Sequence, residues 1–251
     1  MKKMKNKKTT LMEHLEELRK RLIISLVALF LGMVFTFLFL QEEIFFILMN
    51  PLAEIQQQLV LLTVTEGFML QIRTAFLGGL LLASPVIIWQ IIAFVLPALY
   101  QKERKAFWLI FITSLILFVL GIFFAYYYVL KLGLKFLLVN CSAGLTPMIS
   151  AAKYLTFLLY FLIPFGIAFE IPVAAYILTK LGFLTPEKLG QNRRYVILII
   201  FILAALLTPP DVISQIMLAF PMLILYEIGI LISKIVNKRQ SSFRNGEDSK
   251  I

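Results

Sequence analysis

The chain is dominated by long apolar stretches that are separated by short polar segments. The first stretch, residues 22–40, is about 28 Å long as a helix, which is close to the thickness of a bilayer's hydrocarbon core. Apolar runs of this length are typical of membrane-spanning helices. The predicted spans are residues 22–40, 68–92, 107–130, 156–181, 195–207 and 212–232.

Composition and charge support a membrane protein. Hydrophobic residues make up 61% of the 251 residues and charged residues only 15%, whereas soluble domains are about half apolar. The net charge of +10 comes from bases clustered beside the apolar runs, which fits the positive-inside rule better than a nucleic-acid groove. We therefore predict an all-α integral membrane protein with six helices, both termini in the cytoplasm and no nucleic-acid partner.

The segments around the spans give the domain organisation. We predict a single membrane domain over residues 1–235, which begins with an amphipathic helix at 10–21, and a flexible cytoplasmic tail at 236–251. Residues 41–67 contain four acids and no Lys or Arg, so they are predicted to form an outer loop. The fifth and sixth helices are predicted to be short, with apolar parts of about 20 and 25 Å.

The sequence offers no chemistry for catalysis or for a metal site. It has one cysteine and one histidine, too few for a cysteine or histidine metal cluster. It also lacks a phosphate-binding G-x-x-x-x-G-K-[ST] loop and the common hydrolase motifs. We expect neither an enzyme nor a bound cofactor, which leaves a receptor or a scaffold.

Two acids stand out by their position. Glu103 lies in a polar segment at 94–105, which is either a docking surface for a cationic partner or an anchor at the membrane boundary. Glu170 lies inside a predicted span, where an ionised side chain costs at least about 2.5–3.5 kcal/mol. It is either functional or a structural hydrogen-bond partner.

Two polar residues lie at the outer ends of the last two spans. These residues, Thr208 and Gln215, either cap helices or pair with another helix.

Several short segments resemble the TatC family, whose members are the core subunits of the twin-arginine (Tat) protein translocase. They occur in the family's order and spacing between about residues 10 and 235. They are HLEELRKRL at 14–22, SPVIIWQ at 84–90, FVLPALY at 94–100 with Glu103-Arg104, AFEIP at 168–172, LTPPD at 207–211 and YEIG at 226–229.

The resemblance implies a cup-shaped protein of the bacterial cytoplasmic (inner) membrane that binds the twin-arginine signal peptides of folded cargo. Glu17 and Glu103 would bind the arginine pair, with Phe94, Leu18 and Arg19 shaping the site. Carboxylates suit this role because they accept the planar guanidinium fork bidentately. For Glu17 an alternative is simple helix support, since it lies four residues before a basic residue, Arg21.

The resemblance also implies partners. These are TatA-type and TatB-type single-span proteins, the lipid bilayer and further copies of the chain in a homo-oligomer, with transport driven by the proton-motive force. Glu170, Thr208 and Gln215 would meet a partner helix, and Pro51 and Asp211 match outer positions that matter for assembly. Two other functions stay open: a transporter or channel that uses Glu170 for a proton or cation, and a scaffold without a peptide site.

Overall fold

A computed structural model describes residues 11–55, 57, 59–96, 104–136, 138, 148–207 and 212–248. The described chain is almost entirely helical, with two short strands. The helices are α1 (Leu11–Phe35), α2 (Gln41–Glu54), α3 (Glu66–Val95), α4 (Arg104–Phe124), α5 (Lys131–Lys135), α6 (Ala151–Ala168), α7 (Ile171–Lys180), α8 (Pro186–Gln191), α9 (Arg193–Leu207) and α10 (Val212–Asp248). Wider π-helical turns at Thr36–Leu40 and Ala125–Leu130 join α1 to α2 and α4 to α5.

Five helical stretches in the described residues are long and apolar enough to cross a membrane. They are Met12–Glu54, Glu66–Val95, Lys105–Lys135, Ala151–Lys180 and Gln215–Lys238. Large apolar side chains on the first of them point outward, with Leu26 56% and Phe30 64% exposed. Such a surface suits lipid and is unusual for a monomer in water. The predicted fifth span is α9, whose 15 residues reach only about 22 Å.

Two boundaries differ from those predicted. The outer loop expected from residue 41 is helical through Glu54, since α2 continues the first helix for 14 residues. The acids Glu42 and Glu43 lie at the start of α2, within the continuous helix Met12–Glu54. At the other end, α10 is helical through Asp248, so the described part of the predicted tail is helical and α10 is not short.

Contacts divide the chain into two compact units. The first consists of Met1–Ile44 and Thr74–Leu115, and the second of Phe45–Arg73 and Ile116–Ile251. Helix α3 contributes to both units, since the division falls at Thr74. The prediction of a single membrane domain over residues 1–235 stays a prediction.

In the first unit, α1 and α3 approach so closely that their backbones touch at glycines. A Cβ added to Gly79 would lie 2.5 Å from the backbone nitrogen of Met33, and one added to Gly32 would lie 2.7 Å from the carbonyl oxygen of Gly79. Small residues allow such contact between membrane helices.

The first unit also holds both tryptophans of the chain, Trp89 and Trp108, whose rings lie 5.2 Å apart.

In the second unit, a carboxylate joins two chain segments that are far apart in sequence. Glu66, only 5% exposed, accepts hydrogen bonds from the backbone N–H groups of Leu62 (2.5 Å) and Ala152 (2.9 Å) and from the hydroxyl of Ser150. Beside it, strands β1 (Leu59–Val60) and β2 (Ile149–Ser150) pair in parallel. The start of α3 is thereby fixed to the start of α6.

The later helices of the second unit pack through small and polar groups. α7 contacts α10, where the buried hydroxyls of Thr179 and Ser233 lie 2.7 Å apart. Gly182 follows the end of α7, and its φ of +79° is the left-handed conformation that glycine adopts readily after a helix. Thr185 then caps α8 by accepting a hydrogen bond from the backbone of Lys188.

Candidate functional site

The side chain of Glu17 lies in a cleft of the first unit between α1 and α3. Its Oε1 atom accepts hydrogen bonds from Nε (3.0 Å) and Nη2 (2.6 Å) of Arg21, one helical turn later. Nη1 of Arg21 donates to the side-chain oxygen of Gln90 on α3 at 3.2 Å. A guanidinium is thus held by one carboxylate and one amide from two different helices.

The cleft has a volume of about 430 Å³ and a mixed charge. Three acids and two bases line it, together with an amide and an apolar side chain. Those residues are Glu13, Glu16, Glu17, Lys20, Arg21, Ile24 and Gln90. Carboxylates at the surface of such a cleft can bind a cationic group, and the fork of Arg21 demonstrates the geometry in which Glu17 holds a guanidinium.

Aromatic stacking joins the same two helices on one side of the cleft. The ring of His14 on α1 stacks on Phe94 on α3, with centroids 4.5 Å apart and planes inclined by 17°. The predicted site residues Glu17 and Phe94 are therefore brought to one pair of helices. Sequence patterns assigned no role to His14 or Gln90, because their partners lie about 70 to 80 residues away along the chain.

The other predicted residues of this site are less completely placed. Leu18 is 43% exposed, and Arg19 lines a separate hollow of about 320 Å³ on α1. Neither belongs to the lining of the Glu17 cleft. Glu103 lies outside the described residues.

Glu170 occupies a break in the predicted fourth span. α6 ends at Ala168 and α7 begins at Ile171, and Glu170 between them is half-buried. Pro172 explains the break, because a proline has no N–H to donate to the carbonyl four residues earlier. Phe169, the other residue of the break, packs against Gly121 of α4 where a side chain would collide. The predicted intramembrane acid therefore lies where the helix is interrupted.

Of the predicted residues near the last two spans, only Gln215 is described. Its amide nitrogen donates to the carbonyl oxygen of Phe201 at 3.0 Å, which joins α10 to α9. Thr208 and Asp211 lie outside the described residues.

Among the described residues, no group of three or more His, Cys, Asp or Glu side chains is placed to hold a metal ion.

Comparisons with known proteins agree with this arrangement. The family described as Sec-independent protein translocase protein (TatC) matches residues 13–221. The chain belongs to the TatC family. The TatC of Carboxydothermus hydrogenoformans is 45% identical over 95% of this chain and 98% of its own length, and that of Aquifex aeolicus is 41% identical over 93% and 98%.

A solved TatC structure is also similar. The crystal structure of a twin arginine translocase receptor, TatC, is 42% identical, covers 89% of this chain and 99% of its own, and superimposes with a TM-score of 0.81. This similarity confirms the predicted all-α membrane fold.

Four prolines in the described residues lie inside helices, at positions 51, 85, 164 and 221, and a side-chain hydroxyl compensates for the first two. Pro51 is buried within α2, so the prediction that it lies in an outer loop is wrong. It cannot donate to the carbonyl oxygen of Ile47, and the hydroxyl of Tyr126 donates there instead. Tyr154 donates to the next carbonyl, that of Leu48, at 2.9 Å. The helix can therefore continue through the proline.

The second proline explains a motif that the sequence shares with the TatC family. Pro85 in α3 leaves the carbonyl oxygen of Leu81 without its usual donor. The neighbouring hydroxyl of Ser84, which is buried, donates to that oxygen at 2.7 Å. The Ser-Pro pair thus preserves the helix that carries Gln90 and Phe94 into the cleft.

The YEIG motif at 226–229 connects α10 to its neighbours. Tyr226 donates to the carbonyl oxygen of Leu189 at 2.7 Å, and Glu227 pairs with Arg193 at 2.8 Å. Gly229 faces Ala175 of α7, where an added Cβ would lie 3.3 Å away. Sequence patterns assigned no role to these residues, because each of their partners belongs to another helix.

We expect Tyr126→Phe to lower the free energy of unfolding by about 0.5–1.5 kcal/mol, because it leaves the carbonyl oxygen of Ile47 without its donor. The fraction of monodisperse protein that survives heating in detergent measures the effect. Tyr127→Phe is the control, since Tyr127 is 46% exposed. In a Pro51→Ala background the effect should shrink, because alanine restores the N–H. Equal losses for Tyr126→Phe and Tyr127→Phe would contradict this role.

Proposed function

We propose that this chain is the core subunit of the Tat translocase and the receptor for twin-arginine signal peptides. The observation that carries the proposal is the contact of Glu17 with a guanidinium: two nitrogens of Arg21 lie 2.6 and 3.0 Å from one carboxylate oxygen. A carboxylate that holds one guanidinium in a cleft is suited to hold another. Family membership and the similarity to a crystallised twin arginine translocase receptor support the same function.

The peptide site extends beyond Glu17. Phe94 and Leu18 offer apolar surface next to the cleft, and Arg19 shapes the outer side of α1. Glu103, from the polar segment after α3, is the second carboxylate for the arginine pair. Two carboxylates distinguish paired arginines from paired lysines, because an ammonium is a point charge without the planar fork.

The membrane partners contact a different part of the chain. TatA-type and TatB-type single-span proteins dock near Glu170, Gln215 and Thr208, where polar groups lie in or at the ends of spans and α9 is short enough to thin the bilayer. Pro51 and Asp211 support assembly of a homo-oligomeric receptor complex. Transport uses the proton-motive force, and the chain lies in the bacterial cytoplasmic membrane with both termini inside.

Binding of synthetic signal peptides to the detergent-solubilised chain tests the receptor function. We expect a twin-arginine peptide to bind at least about tenfold more tightly than its twin-lysine variant, since charge-assisted bidentate bonds are roughly twice as strong as ordinary ones. The control is a peptide of the same composition with the arginines moved apart. Equal affinity for the arginine and lysine peptides would contradict the proposal.

The transporter or channel alternative is not favoured by the comparisons, since the matching relatives are named as translocase proteins. It requires that the purified chain alone carry protons or small cations through Glu170. Reconstituted vesicles without partner proteins distinguish the two functions, because a receptor produces no flux by itself.

A further inference from the structure

The guanidinium of Arg21 occupies the carboxylate that the proposed function assigns to the signal peptide. Both of its contacts with Glu17 go to one oxygen, Oε1. The pair is only partly exposed, with 22% of the Arg21 side chain and 37% of the Glu17 side chain accessible. An incoming arginine therefore meets a carboxylate that already holds the kind of group the peptide offers.

This contact is more than a surface pair along one helix. A Glu and an Arg four residues apart support a helix without help from another element. Here Gln90 of α3 accepts the third bond of the same guanidinium at 3.2 Å. Since Gln90 is neutral, it orients Arg21 without adding a charge that attracts the peptide.

We propose that Arg21 competes with the signal peptide for Glu17: an arginine of the peptide must displace the guanidinium of Arg21 before it can bind, so Arg21 lowers the affinity of the site. The proposal rests on the proposed function of Glu17. A guanidinium replaces the bonds of Arg21 one for one, because it presents the same fork. An ammonium lacks that fork and replaces them poorly. After displacement, Gln90 still offers an acceptor to the released side chain.

Two variants of the cleft test this role, with binding of twin-arginine and twin-lysine peptides to the solubilised full chain as the measurement. Arg21→Gln removes the competitor, and Lys20→Gln removes the same charge from the adjacent position of the same cleft. We expect Arg21→Gln to tighten the binding of both peptides about two- to fivefold, as for loss of a partly exposed ion pair, because either peptide must displace the same side chain. Lys20→Gln should tighten binding by less, because it removes a like charge from the cleft but no described bond to Glu17.

A third variant keeps the charge. Arg21→Lys retains a cation but loses the fork, so it should also tighten the binding of the twin-arginine peptide, by less than Arg21→Gln. It serves as the test if Arg21→Gln does not fold. Unchanged affinities in the Arg21 variants, or an increase in affinity of the same size in Lys20→Gln, would overturn the proposal.

Glu17→Gln separates this proposal from the function on which it rests. If that variant binds the twin-arginine peptide as well as the unmodified chain does, the assignment of Glu17 to the receptor site is wrong. If it binds weakly while Arg21→Gln binds both peptides no more tightly than the unmodified chain does, the receptor site stands and only the competitor role fails.

Discussion

Glu17→Gln is expected to weaken binding of a twin-arginine peptide at least about tenfold. Hydrogen bonds to a charged group contribute roughly 1.5–3 kcal/mol, and about 1.4 kcal/mol corresponds to a factor of ten in affinity. Glutamine keeps the shape of the side chain but removes the charge and one acceptor oxygen. Titration of a labelled peptide into the detergent-solubilised chain measures the change.

The control for this variant is Glu16→Gln, which removes the same charge from the neighbouring residue of the cleft. Glu16 makes no described bond to Arg21, so its charge should act on the peptide only through long-range electrostatic attraction. Because salt screens exposed charges, we expect Glu16→Gln to weaken peptide binding by less than about threefold. The melting temperature of Glu17→Gln should stay close to that of the unmodified chain, because exposed ion pairs contribute little to stability. Equal affinities for the two variants would contradict a specific role for Glu17.

Gly79→Ala should give the largest loss of stability in the first unit. The added methyl group would lie 2.5 and 2.7 Å from backbone atoms of Met33. A helix backbone cannot relieve such a clash by changing rotamer, as a flexible side chain can. Overpacking of this kind destabilises by about 1–3 kcal/mol. Because α1 and α3 carry Glu17 and Gln90, the same change should also weaken peptide binding.

Gly67→Ala is the matched control in the same helix. Nothing lies within 4 Å of the Cβ position at Gly67, and alanine favours a helix over glycine by up to about 1 kcal/mol. Thermal unfolding followed by tryptophan fluorescence reports on the first unit, because Trp89 and Trp108 are the two tryptophans of the chain. Equal melting temperatures for Gly79→Ala and Gly67→Ala would show that the helices do not meet at Gly79.

Local sequence patterns were sufficient to locate most of the spans, and the resemblance to the TatC family indicated the motif that contains Glu17. A run of apolar residues predicts a membrane helix without reference to the rest of the fold. The length of the run at 195–207 likewise predicted that α9 would be short. The end of the first helix was missed. The acids of residues 41–54 suggested a loop on the outer side of the membrane, but polarity does not distinguish a loop from a helix that continues into water.

Partners distant in sequence could not be predicted. Tyr126 and Ile47 are 79 residues apart, and Arg21 and Gln90 are 69 residues apart. A proline inside a helix leaves one carbonyl without its usual donor, but the replacement donor depends on which helix packs there. Pro51 was placed in an outer loop because residues 41–67 contain four acids and no Lys or Arg, and the compensating tyrosine could not be inferred from the residues around the proline.

The coupling free energy between Glu17 and each arginine of the peptide tests the central claim most directly. It comes from a double-mutant cycle that combines Glu17→Gln with a peptide in which one arginine is replaced by citrulline, a neutral residue of the same shape. We predict a coupling of about 1.5 kcal/mol or more for one of the two arginines. Additive effects at both arginines would contradict the claim that Glu17 holds the guanidinium of a signal peptide.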